Sequence, residues 1–197
     1  MWHEKKIVLK LDKNEDRFPI EVLNVWDVTS LEIIGGKITY FPEDICVLKK
    51  LKSLSIVSTK ITQIPKEVFQ LPELIYLNLK NNQISYLPDL AIKSKLKTLI
   101  LSRNQLSSVE KTIPAFHKLQ TLDLSHNLLT EIPNQFYYLK ELSRLNLDSN
   151  KLKKLPPFLK DIKSLTHLSV ENNFFSNDVK NKIESDFNIS LNPTLIK

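Results

Sequence analysis

Apolar residues in this chain return with a long fixed period, superimposed on a short alternation. Leucines open successive segments at Leu51, Leu74, Leu96, Leu119, Leu142 and Leu165, at intervals of 23, 22, 23, 23 and 23 residues. Within each segment the first, fourth and sixth positions are apolar, as in Leu74-Leu77-Leu79, Leu96-Leu99-Leu101, Leu119-Leu122-Leu124 and Leu142-Leu145-Leu147. An Asn stands ninth, at Asn82, Asn104, Asn127, Asn150 and Asn173. An apolar residue stands eleventh, at Ile84, Leu106, Leu129, Leu152 and Phe175. Most segments then carry an apolar-Pro pair: Ile64-Pro65, Leu87-Pro88, Ile132-Pro133 and Leu155-Pro156. Self-similarity at this period is the mark of a repeat architecture.

Around the fourth and sixth positions apolar and polar residues alternate, which predicts a half-buried strand. Equivalent strands stacked in register form a parallel sheet, and each needs a return segment before the next begins. Val68 and Leu71, or Phe136 and Leu139, give that return segment an inward apolar face. Neither half buries its apolar side alone, so stability comes from stacked neighbours. The Asn amide donates and accepts at once, and in the turn after the strand it can satisfy backbone groups left without partners. Pro lacks an N–H and fits where no ladder bond is made.

The pattern L-x-x-L-x-L-x-x-N-x-L-x-x-L-P resembles the leucine-rich repeat family, from about Val28 to just past Phe175. The resemblance implies an α/β fold: a right-handed horseshoe solenoid with a concave parallel sheet of about seven or eight strands and short helical or extended convex segments. It also implies that the asparagines run as a ladder along the solenoid. Gly36 and Thr59 occupy the Asn place in the first two clear segments, so the ladder is expected to begin at Asn82. Leu90-Ala91-Ile92 blurs one return segment, and Val109-Glu110 replaces a Pro pair in the next; convex irregularity without a break in the sheet is expected at both. A more degenerate segment precedes these, with Leu9, Leu11, Asn14 and Phe18-Pro19 following the same skeleton one residue short.

One domain is expected: residues 1–27 as an N-terminal cap or degenerate repeat, 28–175 as repeats, and 176–197 as a C-terminal cap helix with an irregular tail. Ser176-Asn177-Asp178 offers N-cap chemistry, and Val179, Ile183 and Phe187 then recur at helical spacing. Extracellular eukaryotic members of the family typically carry Cys-rich caps. One Cys in 197 residues therefore points to a bacterial or intracellular type.

Composition narrows the function classes. Only two glycines, Gly35 and Gly36, exclude a glycine-rich phosphate loop, and one Cys excludes an intramolecular disulfide. The net charge of +6 comes mostly from lysines scattered among acids. Arg17, Arg103 and Arg144 are the only arginines, too few for base readout, so no nucleic-acid partner is expected. No apolar run is long enough for a membrane span or a signal-peptide core, and a cytoplasmic monomer is the expectation. Secretion or surface exposure is the alternative, if the chain is trimmed or export proceeds without a recognisable signal.

Catalytic chemistry finds no constellation. Cys46 falls on a return segment away from the histidines and reads as buried filler. His126 and His167 are two repeats apart, roughly 10 Å at about 4.8 Å per strand. Asp123 and Asp148 are nearby, yet no metal-ligand spacing supports a site. Asn188-Ile189-Ser190 matches a glycosylation sequon, a short pattern expected by chance. No enzyme activity, metal or cofactor is expected.

Function is expected on the concave face. The third-position column reads Ser30, Ser53, Tyr76, Thr98, Thr121, Arg144 and His167. The fifth reads Glu32, Ser55, Asn78, Ile100, Asp123, Asn146 and Ser169, and the seventh Ile34, Val57, Lys80, Ser102, Ser125, Asp148 and Glu171. Ile34 and Val57 make an apolar corner. Tyr76, Asn78, Lys80, Ile100 and Arg103 make a mixed centre. Asp123, Asp148 and Glu171 make an acidic zone among His126, Arg144 and His167. Aromatic and arginine residues ringed by polar ones are enriched in interface hot spots. The family resemblance implies protein–protein recognition through this face. A structural or membrane-peripheral scaffold using Lys151, Lys153 and Lys154 is the rival, and the substrate-selecting part of a bacterial effector a third reading.

Overall fold

The computed structural model describes residues 5–189 and 191. Ser190 of the sequon, the first four residues of the expected N-terminal cap and most of the expected tail lie outside them. Among the described residues eight strands form one parallel sheet in chain order: β1 Lys6–Leu11, β2 Ser30–Gly35, β3 Ser53–Val57, β4 Tyr76–Asn78, β5 Thr98–Ile100, β6 Thr121–Asp123, β7 Arg144–Asn146 and β8 His167–Ser169. The return segments carry single 3₁₀ turns, such as Glu43–Val47 and Asn134–Tyr138, and one short helix α1, Lys66–Phe69. Pro42, Pro65, Pro133 and Pro156 stand at the N-caps of four of these turns, where a missing N–H leaves no bond unmade.

Leu31, Leu54, Leu77, Leu99, Leu122 and Leu145 stack as one buried column between sheet and return layer. Phe116 and Phe136 fill the return side, fully buried. The 88–97 stretch has no helical turn, yet the sheet passes it unbroken from β4 to β5. Buried Ser94 ties the irregular stretch down: its amide donates to the Ala115 carbonyl at 2.9 Å. The Thr112 hydroxyl likewise donates to the Pro88 carbonyl at 2.8 Å.

The first segment corrects the sequence register. β1 pairs Ile7 with Leu31 and Leu9 with Ile33, so its core positions fall two residues earlier than the Leu9–Leu11 skeleton suggests. Asn14 is exposed and joins no ladder; the Asp12 carboxylate accepts its amide at 3.0 Å in a local turn. That turn carries the Glu15 carbonyl against Gly36, where an added Cβ would lie 2.9 Å away. Gly36 therefore replaces Asn because backbone fills the space an amide side chain would take. At the other end α2, Asn177–Phe187, closes the core. The Ser176 hydroxyl accepts the Val179 amide as N-cap, Ile183 is buried, and Val179 and Phe187 pack beside it. Cys46, expected as buried filler, is only partly buried, because the 3₁₀ turn directs Ile45 inward instead.

Candidate functional site

The sheet register aligns the third-position column from Ser30 through Tyr76 and Arg144 to His167, and the fifth from Glu32 through Asn78, Ile100 and Asp123 to Ser169. β1 adds one member to each of the three columns, namely Lys6, Val8 and Lys10. These were missed because the first segment departs from the repeat spacing. The strand alternation of Lys6 to Leu11 was the available signal.

The turn after each strand is built by two columns. At the eighth position the backbone is left-handed at Ser58, Asn81, Arg103, His126, Ser149 and Asn172, and Gly35 holds the same place with φ of 85°. Arg103 and His126 therefore project from a tight turn at the edge of the face, both exposed. At the ninth position the Asn ladder begins at Asn82, whose side-chain oxygen accepts the Thr59 hydroxyl. Asn104, Asn127, Asn150 and Asn173 repeat one geometry. Each amide nitrogen donates to a carbonyl of its own turn and to one of the preceding repeat, and each oxygen accepts an amide of the preceding repeat, all at 2.9–3.0 Å.

Several residues expected to meet a partner are engaged within the chain. Asn78 and Asp123 accept the amides of Lys80 and Ser125, at 3.1 and 2.9 Å. Asp148 accepts the Ser169 hydroxyl at 2.7 and 2.8 Å and the Glu171 amide at 2.6 Å. The acidic zone is thus partly turned into its own sheet, because short carboxylates reach the N–H groups at the strand ends. Tyr76 and Ile100 are half-buried rather than freely exposed, as are Ile34, Val57 and Glu171. Lys80, Arg144 and His167 stand exposed, and the His167 ring shares a hydrogen bond with the Thr166 hydroxyl.

Ile100, Asp123, Arg144 and His167 line one shallow hollow of about 550 Å³, with Ile189 from beyond α2 at its far rim. Thr166 and Ile189 were not foreseen; Ile189 reaches the site only because Asn188 turns the chain back in a left-handed C-cap. Among the described residues no cluster of three or more His, Cys, Asp or Glu could hold a metal ion. No helix among them is long and apolar enough to cross a membrane.

The family model described as leucine rich repeat matches residues 49–92 and 94–152, more than half of the chain. The chain belongs to the leucine-rich repeat family. Two solved structures of such repeat proteins share its form. A leucine-rich repeat protein of Leptospira interrogans is 28% identical, with a TM-score of 0.75 over 94% of this chain and 54% of its own. An internalin from Listeria monocytogenes is 22% identical, with a TM-score of 0.76 over 94% of this chain and 54% of its own, a likeness of fold alone. The chain spans about half the length of these two proteins. Comparison with curated proteins gave no significant match. Leucine-rich repeat domains are typically protein-binding modules and generally non-catalytic, and these two structural neighbours are bacterial.

Proposed function

We propose that the chain binds a partner protein across the concave face of its sheet, centred between Tyr76 and the hollow around Arg144. The observation that carries this is the hollow itself. It joins the half-buried side chains of Ile100 and Ile189 to an exposed guanidinium, at a place where the repeat needs only small polar residues. Arginine is among the residue types enriched at interface hot spots, and here it shares one hollow with half-buried aliphatics. Asn78, Asp123 and Asp148 act mainly as supports that fix the strand ends, and Arg103, His126 and Lys80 form the rim.

The test is a paired set of variants in a pull-down with calorimetry on any recovered partner. Tyr76→Ala with Arg144→Ala should abolish binding while leaving the unfolding transition in place. Arg103→Asn, which suits the left-handed backbone there, should weaken it. Retained binding in both variants, combined with loss at high salt and in a Lys151, Lys153, Lys154 charge-neutral variant, would transfer the function to the lysine surface.

A further inference from the structure

The two ends of the solenoid are finished differently. At the C-terminal end α2 covers the core. At the N-terminal end β1 is the outermost strand of the sheet. Its inward residues Ile7, Leu9 and Leu11 are only partly buried, whereas Leu31 and Ile33 opposite the first two are fully buried. β1 is also among the longest strands, six residues against three for β4 to β8.

Among the described residues nothing pairs with its outer hydrogen-bonding edge. Successive residues of a strand within a parallel sheet direct their N–H and C=O alternately to the two neighbours. The Lys5 carbonyl accepts the Thr29 and Ser30 amides at 3.0 and 3.2 Å, so the odd-numbered residues face β2. Lys6, Val8 and Lys10 then turn their backbone groups to the side where the described residues supply no strand. The same three place their side chains on the concave face, where Val8 is 44% exposed.

Charge selects the occupant. β1 and the residue before it carry Lys5, Lys6 and Lys10 and no acid. Lys5 is answered by Asp27 at 2.9 Å and Lys6 by Glu32 of β2 at 3.6 Å. Lys10 faces Ile34 across the ladder and has no ion-pair partner among the described residues. A second copy of β1 paired antiparallel would set lysines opposite lysines, which destabilises a strand pair. We infer that β1 accepts a ninth strand from a partner protein, an extended segment in which Asp or Glu alternates with aliphatic residues. The aliphatic side chains would extend the core over Ile7, Leu9 and Leu11. The carboxylates would lie beside Lys6 and Lys10. Such strand addition draws affinity from main-chain bonds and specificity from alternate side chains. It is independent of the concave hollow, which lies at the other end of the sheet.

The test uses the full chain, isotope-labelled, with the synthetic peptide Glu-Ile-Glu-Val-Glu-Ile-Glu. A peptide of the same composition with the glutamates grouped at one end is the control. The alternating peptide should bind and slow amide exchange at Lys6, Val8 and Lys10, with no change in the residues of the hollow. Lys10→Glu should weaken binding roughly three- to tenfold, since an attraction becomes a repulsion. Val8→Pro removes an N–H on the open side, a substitution that edge strands accept, and should abolish binding. Should that variant unfold, peptides N-methylated on one edge give the same answer, because only one methylation pattern should block binding to wild-type chain. Equal binding of the control peptide, or protection confined to other strands, overturns the inference. So does a wild-type dimer in sedimentation that Val8→Pro converts to monomer, which would make a second copy the occupant.

Discussion

Replacing Asn127 by Ala probes the ladder where it is most regular. Asn127 is 5% exposed. Its amide nitrogen donates to the Leu101 and Leu124 carbonyls at 3.0 Å each, and its oxygen accepts the Leu106 amide at 3.0 Å. The losses are unequal. The Leu101 carbonyl keeps Asn104 and the Leu124 carbonyl keeps Asn150, each at 2.9 Å. The Leu106 amide keeps nothing. One orphaned buried donor costs about 1–3 kcal/mol, and two thinned carbonyls with a small void add about 1 kcal/mol. Asn127→Ala should therefore destabilise by roughly 2–4 kcal/mol in urea unfolding. Hydrogen exchange should also show lost protection at Leu106 before its neighbours. Asn127→Asp sharpens the assay, because the shape is kept while the donor becomes an oxygen aimed at carbonyls. Burial and those carbonyls raise its folded-state pKa above the ordinary value of about 3.9. The stabilisation of its protonated form is present below that value and is lost as pH rises through the folded pKa. The variant should approach wild type in acid and fall away toward neutral pH. A loss under about 0.5 kcal/mol for Asn127→Ala, with Leu106 still protected, would refute the ladder as the element joining successive repeats.

Leu122→Ala should cost about 2–5 kcal/mol as a fully packed core truncation, whereas Thr121→Ala on the open face should change the unfolding midpoint hardly at all. Ser149 has φ of 55°, where a β-branched residue is strained. Ser149→Val should lose about 1–2 kcal/mol and Ser149→Asn almost none, read by thermal unfolding. The Lys5 ammonium, hydrogen-bonded to Asp27 at 2.9 Å, holds that carboxyl below its ordinary value. Its contribution is present above the unfolded pKa and fades as pH falls through the folded one. Asp27→Asn should flatten the acid limb of the stability profile slightly, and an NMR titration of Asp27 at or above the ordinary carboxylate value would contradict the contact.

What could be read from residues alone follows from where the physics is periodic. The strand register from β2 to β8 and the Asn ladder were legible because each repeat must bury the same leucines and satisfy the same backbone groups. A one-residue slip would expose a whole column. The first strand was misplaced by two residues because Leu9, Leu11 and Asn14 copy the motif, while the local Asp12 turn and the close pass over Gly36 decide the register. The candidate site was legible as columns but not as chemistry. Spacing shows that Asp148 reaches the concave side; it does not show that Ser169 and the Glu171 amide already occupy its oxygens. The same holds for Arg103 and His126, whose own side chains do not announce a left-handed backbone; only Gly35, Asn81 and Asn172 at the same place of other repeats carry that signal. Stacking makes one repeat predict the next, so it informs least where a neighbour is missing. That is why the pattern is weakest at β1, which among the described residues has a strand on one side only.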